Sequence, residues 1–89
     1  MKTERVVISN KLGLHARAAA KLVQLSNQFD ARIVLDKEGQ KADAKSIMDV
    51  LMLTGTQHSE ITIITDGGDE ATAMTEVVSL FHGKFGEGE

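Results

Sequence analysis

The chain contains no cysteine, proline, tryptophan or tyrosine among its 89 residues. Without cysteine there are no disulfides and no thiolate metal sites, so the fold rests on packing alone. Three phenylalanines are the only aromatics, which leaves little for nucleobases to stack on. The net charge is −3 and the basic residues are scattered, so nothing attracts a phosphate backbone and nucleic acid is excluded as a partner. No apolar run approaches the roughly 18 residues that a bilayer-spanning helix needs, so no membrane insertion is expected. The N-terminus, MKTERVV, lacks the uncharged apolar core of a signal peptide, and a cytoplasmic protein is expected.

What remains suits one compact domain with a single core, too small for two domains with a cleft between them. No linker, repeat or low-complexity stretch divides it, so residues 1–89 read as one domain, with a frayed tail from Gly86 to Glu89. Glu4 to Ser9 reads as a strand ending at a turn around Asn10 and Gly13. From Ala16, apolar residues recur at helical spacing (Ala18, Leu22, Leu25, Phe29), with Ala19 and Val23 widening the arc. Ala31 to Leu35 and Lys41 to Ala44 read as a hairpin across Asp36 to Gly39, and Ser46 opens a short helix that Gly55 stops. Glu60 to Thr65 alternates as a fourth strand. Met74, Val77, Val78, Phe81 and Phe85 then mark a last helix, fraying at Gly83. The order β-α-β-β-α-β-α predicts an α+β fold: a mainly antiparallel sheet with helices on one face and the other face open. Such a sandwich has no deep pocket, so chemistry must sit at an element's end.

One end stands out. In "NKLGLHARAAAKLV", His15 falls at or beside the N-cap of the first helix, where the first-turn amides have no intrahelical partner. A neutral imidazole nitrogen can accept one of those hydrogens, and an imperfect cap is the plain alternative reading. Three neighbours favour chemistry instead. The orphan amides of Ala16, Arg17 and Ala18 with the helix dipole form an anion site, the Arg17 guanidinium can fork onto phosphoryl oxygens, and the small residues Ala16, Ala18, Ala19 and Ala20 leave the ring accessible. His58 and His82 lack ligand spacing to other groups and read as solvated. No metal site, no cofactor and no Ser-His-Asp arrangement is expected.

Gly13-Leu14-His15-Ala16-Arg17, together with Ala44-Lys45-Ser46-Ile47-Met48, resembles the histidine-containing phosphocarrier family HPr, and the resemblance covers essentially the whole chain. It implies an open-faced β-sandwich with strand order 1-4-2-3 under three helices. It further implies a monomeric carrier rather than an enzyme, with His15 phosphorylated on Nδ1 by Enzyme I and the group passed to an Enzyme IIA domain. Arg17 takes the place of the family's phosphate-side arginine. Ser46 takes that of its regulatory serine, the target of HPr kinase/phosphorylase where that enzyme exists. "VLMLTG" and "SLFHGKFGE" also resemble the nitrogen-branch members, and the residues do not separate the sugar branch from the nitrogen branch. One departure is clear: the family pattern is His-x-Arg-Pro, and here Ala18 stands in place of the proline. Alanine keeps an amide that proline lacks and loses the ring's stiffness.

Ser46 has two compatible readings, an ordinary helix cap with Asp49 three residues on, or a modification site whose dianion would sit at a helix N-terminus. Ile47, Met48, Leu51 and Met52 cannot all face the core of so short a helix, and exposed Met suits a surface that meets several partners. The resemblance places Ile47 and Met48 on the docking surface. The competing function class is a noncatalytic binding module that uses phosphorylation only as a switch.

Overall fold

The computed structural model describes residues 1–87. Its elements are β1 (Lys2–Val7), α1 (Ala16–Ser26), β2 (Arg32–Lys37), β3 (Gln40–Asp43), α2 (Ile47–Met52), β4 (Glu60–Asp66) and α3 (Glu70–His82), followed by a 3-10 turn over Lys84–Gly86. The four strands form one antiparallel sheet in the order β1-β4-β2-β3. This is the expected α+β architecture.

Alternation makes the sheet two-faced, because successive side chains point to opposite sides. Ile61, Ile63 and Thr65 of β4 are wholly buried, and so are Ile33 and Leu35 of β2, while the residues between them are more exposed. The register sets Val6 opposite Ile61, and Leu35 opposite both Ile63 and Ala42, so one continuous apolar face results. Ala18, Ala19 and Leu22 of α1, Val50 of α2, and Ala73, Met74, Val77 and Phe81 of α3 close over it. Each large aliphatic or aromatic side chain buried there contributes about 1.5–3 kcal/mol.

Several boundaries differ from those the periodicity predicts. β1 lies two residues earlier. Ile8 stays buried but leaves the ladder, donating its N–H to the Ser59 carbonyl and accepting from the His58 N–H. α1 stops at Ser26, and Asn27 caps it with its amide side chain on the Val23 carbonyl, so Phe29 packs on the core from a following turn. The hairpin turn is tighter than expected, with Glu38 and Gly39 both at positive φ and Asp36 accepting the Gly39 N–H at 2.8 Å.

The chain's end differs most. α3 ends at His82, and Phe85 follows at φ 55°, outside the helix. Its ring is nevertheless 1% exposed and stands edge-on to Phe81 at 5.0 Å. Burying that ring folds the end of the chain back over α1. Gly86 therefore closes an ordered turn and Glu87 reaches the start of α1, while residues 88–89 of the expected tail lie outside the described residues.

Candidate functional site

His15 is the N-cap of α1, in extended conformation at φ −75° and ψ 177°. Its carbonyl accepts the Ala19 N–H at 2.8 Å, the first intrahelical bond, which leaves the amides of Ala16, Arg17 and Ala18 as the orphans of the first turn. The Arg17 N–H donates to His15 Nδ1 at 3.3 Å. The ring caps the helix, and it does so with Nδ1.

The loop before it is fixed from both sides. Gly13 sits at φ 65°, and a Cβ there would run into the Gly55 carbonyl, which the Leu14 N–H meets at 2.8 Å. Asn10 is wholly buried, and its Nδ2 donates to the Gly13 carbonyl at 2.8 Å. The histidine is therefore aimed by a braced loop, with Leu14 buried on one side and Leu12 exposed on the other.

Around the ring, Leu12, Arg17, Lys21, Gly86 and Glu87, with Lys11, line a shallow pocket. Its three cations, Lys11, Arg17 and Lys21, add to the helix dipole and favour an anion. Lys21 Nζ is engaged, donating to the Phe85 carbonyl at 2.6 Å. The Arg17 side chain is exposed and forms no hydrogen bond or ion pair among the described residues. The ring keeps 26% of its side-chain surface open.

One carboxylate sits in this basic setting. Glu87 Oε2 contacts His15 Nε2, and its Oε1 accepts from Asn10 Nδ2 at 2.9 Å. The Asn10 donor, against a smaller opposing effect of burial, holds the Glu87 carboxyl below the usual carboxylate range, with the His15 contact and the Arg17 charge adding to it.

Of the alanines expected to leave the ring accessible, only Ala16 is exposed, because Ala18 and Ala19 turn their methyls wholly into the core. Ala18 therefore belongs to the site through its amide alone. Asn10, Leu12, Lys21 and Glu87 were missed by sequence reasoning. The one signal for Glu87 is Phe85: an aromatic after a helix-ending glycine needs burial, and burying it draws the next residues inward.

Ser46 caps α2, with Oγ accepting the Asp49 N–H at a long 3.4 Å. The reciprocal half of the capping box does not form, because Asp49 Oδ2 accepts the Asp43 N–H at 3.1 Å instead. Met48 and Met52 are 64% and 65% exposed, Ile47 is exposed, and Leu51 is half-buried against the core. α1 and α2 pack side by side. His58 and His82 are exposed, and among the described residues no group of three His, Cys, Asp or Glu converges as a metal site would.

The family model described as "PTS HPr component phosphorylation site" matches residues 2–82. The chain is 50% identical over 82 residues to the phosphocarrier protein HPr of Cupriavidus necator, covering 92% of each. It is 44% identical over 87 residues to the phosphocarrier protein NPr of Shewanella violacea, covering 97% of this chain and 96% of the other. Two solved HPr structures from Thermoanaerobacter tengcongensis, one of them a dimer, superimpose with TM-scores of 0.95 and 0.79 at 40% identity. They share 98% of this chain and 98% and 100% of their own.

Proposed function

The chain belongs to the HPr family of phosphocarrier proteins of the phosphotransferase system, and from that premise we propose that it accepts a phosphoryl group on His15 Nδ1 from phosphorylated Enzyme I, ultimately from phosphoenolpyruvate, and passes it to an Enzyme IIA domain. The observation that carries this reading is the placement of Nδ1 against the Arg17 amide at the mouth of α1. Attack by the Nδ1 lone pair forms the N–P bond as the donor's own bond to phosphorus breaks, its electron pair remaining with the donor. The Arg17 N–H, freed from the ring nitrogen, then has the new phosphoryl oxygens as acceptors, beside the amides of Ala16 and Ala18 and the Arg17 guanidinium. One donor thus serves the empty ring and the loaded one.

The shallow site suits a carrier. A phosphoramidate enclosed in a deep pocket would be held too firmly to leave, whereas an open helix mouth lets two larger partners reach it in turn. The chain is then a stoichiometric cytoplasmic intermediate, acting as a monomer, without substrate pocket or cofactor. Ile47, Met48, Leu51 and Met52, with the exposed Leu12, form its docking surface. Ser46 is its regulatory site where an HPr kinase/phosphorylase is present, and a dianion at the α2 cap would act on docking rather than on the fold.

Incubation with Enzyme I and labelled phosphoenolpyruvate, with native chain and His15→Ala in parallel, tests the reading. Acid-labile label that depends on His15 and moves on to a IIA domain supports it. Label that enters and never leaves would turn the protein into a phosphorylation-switched binding module instead.

A further inference from the structure

Oxidising chemistry has few places to act on this chain. Cysteine, tryptophan and tyrosine are absent, which leaves the four methionines as the side chains that a peroxide oxidises directly. We propose that Met48 and Met52 are a reversible oxidation site: conversion of their thioethers to sulfoxides by a peroxide weakens the docking of partners on α2 and so slows phosphoryl transfer. The proposal rests on the carrier reading and on the docking role of that face.

Placement sorts the four methionines. Met74 lies in the core, 5% exposed. Met1 is 76% exposed, but it stands before β1, with its amine paired to Glu70 of α3 at 2.7 Å. Met48 and Met52 are 64% and 65% exposed and lie four residues apart, so one face of α2 presents both sulfurs. Ile47 beside them is exposed too, and the helix packs against α1, which carries His15 at its start. Two of the three exposed methionines thus fall within the surface that partners cover.

The reaction is that of a thioether with a hydroperoxide. A sulfur lone pair attacks one peroxide oxygen, and the S–O bond forms as the O–O bond breaks. The departing oxygen leaves with the electron pair and, on taking up a proton, becomes water or an alcohol. Sulfur loses two electrons and the peroxide gains them. A methionine sulfoxide reductase, with a thiol as electron donor, reverses the change and releases the oxygen as water.

The product is polar where the reactant was apolar. In the free chain a sulfoxide oxygen at these positions faces water, whereas a partner pressing on α2 strips that water away. Oxidation therefore weakens the complex while sparing the chain. α2 holds the core through Val50, which is wholly buried, and is capped by Ser46, so its place in the fold does not depend on either sulfur.

The test treats the full chain with dilute hydrogen peroxide, removes the peroxide with catalase and locates the added oxygen by peptide mass spectrometry. Single-turnover phosphorylation by Enzyme I over a range of chain concentrations then separates rate from binding. Native protein is compared with a double variant, Met48→Leu with Met52→Leu, and with Met1→Leu. Oxygen is expected on Met48 and Met52 before Met74. Half-saturation should rise about tenfold, as for one buried polar group left unpaired, with melting temperature and the rate at saturation little changed. Reductase treatment should restore the starting half-saturation. Peroxide should leave the double variant at its own starting value and should affect Met1→Leu as it does the native chain. Oxygen reaching Met74 first overturns the proposal, and so does an unchanged half-saturation after full conversion at both positions. A melting temperature that falls in step with transfer, or a double variant as sensitive to peroxide as the native chain, overturns it equally. If the untreated native chain takes no phosphoryl group, the carrier reading fails and takes this role with it. If that chain is labelled and peroxide alone has no effect, the oxidation site falls and the carrier reading stands.

Discussion

Gly13 and Gly55 meet backbone to backbone beneath the histidine: the Gly55 carbonyl fills the space a Gly13 side chain would need and accepts the Leu14 N–H at 2.8 Å. Gly13→Ala must therefore relieve both a positive φ and a collision with backbone. It is expected to cost about 1–3 kcal/mol of stability and to displace His15 from the α1 cap. Urea denaturation and the phosphorylation rate should fall together, unlike in a variant of the chemistry alone.

Arg17→Ala should do the reverse. The side chain is exposed and pairs with nothing among the described residues, so its removal should change stability by no more than roughly 0.5 kcal/mol. Transfer should nevertheless slow, because the guanidinium lines the pocket at the ring and is uncommitted among the described residues. A loss of melting temperature matching the loss of activity would contradict that division of roles.

How much of this was legible in the sequence depends on which interactions are local. His15 as a cap could be read from the glycine before it and the apolar period after it, and the strand and helix order followed from alternation. The strand order and the partners came from resemblance of the Gly-Leu-His-Ala-Arg and Lys-Ser segments, since periodicity does not say which strands pair. Glu87 was hidden because its contact with His15 spans 72 positions, and glycines at 83 and 86 look like the end of structure rather than a fold-back. Ala18 was legible in part: the helical period sets it on the apolar arc with Leu22, where its methyl is buried, but periodicity gives no sign that its amide alone is left to the site.

Ala18→Pro tests that position. Ala18 is the third residue of α1 and its amide precedes the first intrahelical bond, so proline removes no helix hydrogen bond there. The expected result is a gain of about 0.4–1 kcal/mol from the stiffer unfolded chain, with transfer to a IIA domain as fast or faster. Since the Ala18 methyl is wholly buried, a less stable and slower variant would mean that the core has no room for the ring.

Acid should release the tail before it unfolds the domain. The folded Glu87 carboxyl lies below its ordinary 4.5, so the unfolded chain takes up this proton first, and the stabilising effect is present above that value. It is lost as pH falls through the lower folded value. The melting-temperature difference between native chain and Glu87→Gln should thus be steady near neutrality and shrink at pH values below about 4.5. A difference unchanged in acid would mean that the carboxylate does not hold the tail.

The nucleophile proposed for transfer is Nδ1 of His15, presented by the helix cap on one edge of the ring, with the Glu87 carboxylate on the other. Nitrogen and phosphorus NMR of the chain after phosphorylation by Enzyme I assigns the phosphoryl group to one ring atom. Phosphorus bonded to Nδ1 with the hydrogen retained on Nε2 is the expected result; phosphorus on Nε2, or on any residue other than His15, would contradict the proposed carrier chemistry.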